Sequence, residues 1–150
     1  MDTCGAVLTP WGRLTVEVGD AGVRRVIFDG PEAPALTGAW AAAFDAYLRG
    51  EDFPAALPVD LAGVPPFTRR VLTACRAIPF GTVRTYRELA ERLGCPRGSR
   101  AVGQALARNP VPVVIPCHRV MGANGALTGF LGGLAWKRAL LAHEGIALGI

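Results

Sequence analysis

Four prolines, Pro54, Pro58, Pro65 and Pro66, fall within fourteen residues near the middle of this 150-residue chain. Each proline fixes its own φ and removes a backbone donor, so neither a helix nor a central strand runs through such a stretch. The chain is therefore expected to fold as two parts, residues 1–62 and 63–150, with the boundary near Gly63. The charges divide at the same place. Residues 1–62 carry four arginines against nine carboxylates, a net of −5, and residues 63–150 carry eleven arginines and Lys137 against Glu88, Glu91 and Glu144, a net of +9. A half that basic points to a polyanionic partner, although a solvated basic face gives the same count.

The first half alternates as half-buried strands require: Leu14, Val16 and Val18, then Val26 and Phe28. Pro10-Trp11-Gly12 and Gly19-Asp20-Ala21-Gly22 supply turns. Residues 3–28 read as a β-meander. Residues 36–49 read as an amphipathic helix with Leu36, Trp40, Phe44, Tyr47 and Leu48 on one face.

The second half reads as mostly helical. Phe67, Val71, Leu72, Cys75 and Ile78 mark a helix over 67–77, and Leu140 and Leu141 face inward on a last helix over 134–143. Thr85 with Glu88 three residues on predicts a capping box opening a helix from Tyr86 to Leu93, closed by Gly94. Ser99 is placed to cap a further helix from Arg100 to Ala107, stopped by Asn109-Pro110. Helix, short glycine-containing turn and helix make a helix-turn-helix pattern, flanked by Arg84, Arg87, Arg92, Arg97, Arg100 and Arg108. The outer positions of the second helix, Ala101, Gly103 and Gln104, let a backbone approach closely but offer little to read base edges. A plain αα-hairpin accounts for the same residues.

Val111 to Ile115 is a buried apolar run, read as a strand, and Pro116-Cys117-His118-Arg119 follows it directly. A thiol has a pKa of about 8.5, so a nucleophilic cysteine needs a base or a positive field. His118 is the available base, acting directly or through a water. Of the three carboxylates in this half Glu144 is the best placed to orient the imidazole, because Glu88 serves the capping box and Glu91 lies on an exposed helical position. A buried cysteine beside a satisfied core histidine remains the plainer reading of the dipeptide.

Taken together these blocks carry a resemblance. Arg100-Ala101-Val102-Gly103, Asn109-Pro110-Val111-Pro112, Pro116-Cys117-His118-Arg119-Val120 and Leu140-Leu141-Ala142-His143-Glu144-Gly145 are similar, in sequence and spacing, to the O6-alkylguanine-DNA alkyltransferase family. The resemblance implies a mixed α/β (α+β) fold. Residues 1–62 would form a ribonuclease-H-like three-stranded antiparallel sheet with a helix, and residues 63–150 a winged-helix-like domain. It implies that Cys117 accepts the alkyl group, that His118 removes its proton through a water and that Glu144 holds His118. By the same resemblance Tyr86 turns out the nucleotide and protonates the guanine N3, Arg100 fills the vacated stack, and Asn109 sits at the hinge. Ser99, Ala101 and Gly103 would meet the minor groove, and Pro112, Val120, Phe130, Leu131 and Gly132 would line the base pocket. Phe130 and Leu131 depart from the tyrosine and serine that members of the family often carry there, which removes two hydroxyl contacts to the base.

The expected protein is a monomeric, cytoplasmic, nucleoid-associated repair protein acting on double-stranded DNA that carries O6-alkylguanine, with O4-alkylthymine as a further substrate. No cofactor or metal is expected, since Cys4, Cys75, Cys95 and Cys117 form no C-x-x-C pair and make no ligand spacing with His118 or His143. No export signal opens the chain and no apolar run reaches the ~20 residues of a membrane span, so neither disulfides nor membrane association is expected. Two rival functions stand beside this one: a non-catalytic helix-turn-helix protein recognising alkylated bases, and a Cys-His hydrolase.

Overall fold

The computed structural model describes residues 2–123, 130 and 132–147, and has a mixed α+β architecture. The chain clusters into two compact units, Met1–Ala62 and Gly63–Ile150. Among the described residues no helix is long and apolar enough to cross a membrane.

In the first unit β1 (Thr3–Thr9), β2 (Gly12–Gly19) and β3 (Gly22–Phe28) form an antiparallel meander in the order β1-β2-β3. Thr9 closes the first turn: its hydroxyl accepts from the amides of Trp11 and Gly12 and donates to the Gly12 carbonyl. Val7, Leu14, Val16, Val23 and Val26 are buried with Trp40, Phe44 and Tyr47 of α1 (Gly38–Leu48). Both sheet edges are covered. The Ala6 amide donates to the Pro34 carbonyl at 2.8 Å and the Leu36 amide to the Ala6 carbonyl at 3.0 Å, while Val23 and Asp60 pair across β3. A Cβ on Gly5 would stand 2.6 Å from the Leu36 Cα, so that approach requires glycine.

Three expectations change here. The helix starts at Gly38, because residues 34–36 pair along β1 instead. Val18 sits at a register shift between β2 and β3 and is only half-buried. The proline-rich stretch is not inert: Phe53 stacks on Tyr47 at 4.9 Å and meets Phe44 edge-on at 5.0 Å, and Val59 bridges to Val23.

In the second unit α2 (Pro66–Arg76) buries Thr68, Val71, Leu72 and Cys75. Phe67, expected inward, is 36% exposed, because it falls off the stripe that the four buried residues define. Next come β4 (Arg84–Thr85), α3 (Tyr86–Arg92), α4 (Ser99–Leu106), a 3₁₀ turn (Cys117–Arg119), β5 (Val120–Met121) and α5 (Leu134–His143). The capping box is formed: Thr85 Oγ1 accepts from the Glu88 amide, and Glu88 Oε1 accepts from the Thr85 amide, both at 3.0 Å. Gly94, with φ +77°, ends the segment in the left-handed region that favours glycine. Arg70 Nη2 donates to the Leu93 carbonyl at 3.0 Å and ties α2 to the end of α3.

Ser99 does not cap α4. It is the first helical residue, the cap position is Gly98, and no side chain caps the helix. Nor do residues 111–115 form a strand. A feature the sequence does not suggest is the parallel pairing of β4 with β5, Arg84 opposite Val120 and Thr85 opposite Met121. It joins the start of α3 to the end of the 3₁₀ turn.

Thr85→Ala should lower unfolding free energy by about 1 kcal/mol, the usual cost of losing such a cap. Urea denaturation of the full chain measures it, and an unchanged midpoint would mean that α3 is anchored by packing alone.

Candidate active site

The site begins where α4 ends. Asn109 is buried and uses both ends of its amide: Oδ1 accepts from the Val111 amide and Nδ2 donates to the Ile115 carbonyl, each at 2.9 Å. The Ile115 amide donates to the Val111 carbonyl, also at 2.9 Å, so residues 111–115 wrap back around Asn109. Val113 takes φ +74°, a conformation that costs a β-branched residue on the order of 1–3 kcal/mol. The run is buried as expected, but its backbone is satisfied by this clip and not by a neighbouring strand. Its product is the sharp entry into the 3₁₀ turn, where Pro116, Cys117, His118, Arg119 and Val120 are all buried.

Cys117 is 5% exposed. Burial pushes its thiol up to about 11, against the Asn109 side chain, the Lys137 ammonium and its own backbone amide, which all favour the thiolate. His118 is fully buried, and its Nε2 lies 2.6 Å from Glu144 Oε2. An ionised carboxylate only accepts, so Nε2 carries the proton and Nδ1 keeps a lone pair. Nδ1 has no protein partner among the described residues. Burial holds the imidazole below its ordinary range; the hydrogen bond and charge of Glu144 oppose this, and Arg119 and Lys137 reinforce it. The result is a neutral base with one nitrogen fixed and the other available.

Glu144 is shared. Besides His118 it accepts from Arg119 Nε at 2.7 Å, from Arg119 Nη2 at 3.1 Å and from the Gly81 amide at 3.2 Å. Arg119, 1% exposed, also donates from Nη1 to the Ile78 carbonyl at 2.6 Å and lies over the Phe80 ring. From α5, Lys137 donates to the Val120 carbonyl at 2.9 Å and stands 5.9 Å above the centre of the Phe130 ring. Cys75 of α2 is buried, and its thiol is raised well above the usual range by burial and by Cys117, against Arg119.

The structure thus brings Cys117, His118, Asn109 and Glu144 into one cluster, with Val120 beside it. Pro112 is buried in the Asn109 loop, Phe130 and Gly132 are half-buried, and Leu131 lies outside the described residues. Tyr86 is half-buried at the start of α3, and a Cβ on Gly103 would stand 3.7 Å from its ring. Ser99 is half-buried, while Ala101 and Arg100 are exposed on α4. Arg87 pairs with Glu91 at 3.2 Å. Among the described residues no group of three or more His, Cys, Asp or Glu side chains converges as a metal site would. Sequence reasoning missed Arg119 and Lys137 as members of the cluster. The signal was present for Lys137, which shares a helix face with Leu140, Leu141 and Glu144 at spacings of three, four and seven.

Residues 66–146 match the family model described as 6-O-methylguanine DNA methyltransferase, DNA binding domain. A methylated-DNA--protein-cysteine methyltransferase from Mycolicibacterium paratuberculosis is 50% identical over 99 residues, which cover 66% of this chain and 59% of that protein. The chain therefore spans about three-fifths of the length of that relative. The crystal structure of the Mycobacterium tuberculosis O6-methylguanine methyltransferase superposes with a TM-score of 0.82 at 36% identity, covering 96% of this chain and 93% of that one. The M. tuberculosis protein in complex with DNA superposes with a TM-score of 0.83 at 35% identity, covering 95% of this chain and 92% of that one.

Two outcomes test the cluster. Glu144→Gln should destabilise the fold by about 3–5 kcal/mol in chemical denaturation, because it leaves the Arg119 charge buried without its partner. His118 is depressed in the folded state, so unfolding takes up a proton in the window just below its ordinary 6.5. Its contribution to stability is present above that value and lost as pH falls. Unfolding free energies between pH 7.5 and 5 should show that loss, and His118→Gln should flatten it.

Proposed function

Because the chain belongs to the 6-O-methylguanine DNA methyltransferase family, we propose that it repairs DNA by moving the alkyl group of O6-alkylguanine onto its own Cys117, once per molecule. The observation that carries this reading is the buried Cys117 followed by a neutral His118 whose Nε2 is fixed by Glu144 at 2.6 Å.

The balance of the step is simple. His118 Nδ1 takes the thiol proton, directly or through a bridging water. The sulfur electron pair forms the S–C bond as the C–O6 bond breaks, and that pair leaves with guanine. Guanine takes up one proton from Tyr86, at the start of α3, and the proton held by His118 replaces it through solvent, so no charge is left on either residue. The product on the protein is a thioether, a poor leaving group, so no second cycle follows. The carbonyls of Cys117 and Val120 receive the guanine amine, and Phe130 offers a face on which the base stacks. Val120 keeps an acceptor lone pair for this while it also accepts from Lys137.

Docking on duplex DNA rests on α3 and α4, approaching the minor groove with the small Ala101 and Gly103, and Arg100 fills the stack when the base is turned out. Turning out a base costs a few kcal/mol, which the basic face offsets. The second unit's excess of arginine and the helix-turn-helix geometry support this. A non-catalytic DNA-binding protein would not require a thiol beside a positioned base.

Incubation with duplex DNA bearing labelled O6-methylguanine should place one label per protein on Cys117, by peptide mass spectrometry. Label on Cys4, Cys75 or Cys95, or more than one label per molecule, would overturn the reading. Cys117→Ser should abolish transfer and still bind alkylated duplex, with affinity falling as salt rises.

A further inference from the structure

Lys137 is the single lysine of a chain with fifteen arginines, and it is completely buried. Burying an ammonium is costly unless something answers its charge. Among the described residues its contacts are the Val120 carbonyl and the Phe130 ring, both uncharged. Among the described residues of the second unit no side-chain carboxylate is left for it: Glu88 closes the capping box, Glu91 pairs with Arg87, and Glu144 is held by Arg119 and His118.

We infer that Lys137 is a positioning residue for the transfer, whose ammonium is the counter-charge of the Cys117 thiolate and whose bond to Val120 holds the turn that carries the sulfur. The inference rests on Cys117 being the acceptor. The charges of the cluster support it. Arg119 and Glu144 cancel, His118 is neutral, the thiols of Cys117 and Cys75 are neutral, and Lys137 leaves one positive charge in excess.

Moving the Cys117 proton to His118 leaves that excess in place, and its onward passage out of the cluster brings the cluster to balance. Forming the neutral thioether, with the proton delivered to guanine, restores the excess. The ammonium is thus answered only while sulfur carries negative charge, so it favours the reacting state over both the resting and the alkylated protein. Burial lowers the Lys137 ammonium from its ordinary value and Cys117 opposes that, while Lys137, with Asn109, favours the Cys117 thiolate against burial. Lys137 also disfavours a proton on His118, which promotes its onward passage.

The test uses the full chain. The rate of Cys117 alkylation by iodoacetamide, followed by peptide mass spectrometry from pH 7 to 10.5, reports the thiolate without DNA. Lys137→Met should slow it about tenfold or more at pH 8, one pKa unit being tenfold in thiolate, and move the profile to higher pH. Transfer from O6-methylguanine duplex in a single turnover should fall in parallel and recover as pH rises. Lys137→Arg, which keeps the charge, should lose less than Lys137→Met.

An unshifted iodoacetamide profile overturns the inference, whatever happens to transfer, and so does an equal loss in both variants. If Lys137→Met does not fold, protein carrying ¹³Cε-lysine gives one lysine resonance. Its titration midpoint should lie lower in Cys117→Ser than in the wild type, and coincident midpoints overturn the pairing. A shifted profile in a protein whose wild type transfers nothing to Cys117 would instead remove the proposed function and leave the charge pair standing.

Discussion

One carboxylate organises the second unit. Glu144, at the end of α5, accepts from a ring nitrogen of His118, two guanidinium nitrogens of Arg119 and the amide of Gly81. Two segments far apart in sequence therefore converge on the two oxygen atoms that end a third. Both side-chain partners lie in the 3₁₀ turn, so the turn cannot rotate without breaking charge-assisted bonds in a dry interior, where an unpartnered charge is expensive. The arrangement also decides the chemistry available. By binding Nε2 it fixes the tautomer of His118, and the basic lone pair falls on the other nitrogen.

The approach to that turn is fixed independently. Asn109 replaces strand pairing with two side-chain bonds, and the strain at Val113 persists because the surrounding loop is buried on every side. Beyond the turn, the β4–β5 ladder takes over with only two residue pairs. Cys117 thus sits between a clip that ends α4 and a ladder that begins α3. The two helices of the helix-turn-helix are each attached to one side of the residue that would react.

Much of this was legible in the sequence where a local rule governs. The capping box at Thr85 and Glu88, the alternation in β2 and the apolar stripes of α2 and α5 depend on near neighbours, and they formed with boundaries shifted by a residue or two. Ser99 failed as a cap because Gly98 ends the preceding turn and takes the cap position. The 111–115 run was misread because five apolar residues fit a strand and a buried loop equally well, and only the Asn109 clip decides between them. Two-residue strands have no period to detect. Arg119 was read as one more basic residue, since its carboxylate partner lies twenty-five positions away. Lys137 broke the apolar face of its own helix, and that conflict between charge and pattern is what marks such residues.

The raised thiol of Cys117 bears on how such a protein survives until it is needed. Burial holds the Cys117 thiol well above its ordinary range, so the resting protein carries the neutral thiol at pH 7. The sulfur is also almost wholly withdrawn from solvent. Under the proposed function, a protein consumed by a single reaction has most to lose from the small soluble electrophiles of its surroundings. Here the ground state keeps the Cys117 thiol in a neutral, shielded form, and under the proposed transfer selectivity would come from withholding reactivity until a substrate is seated.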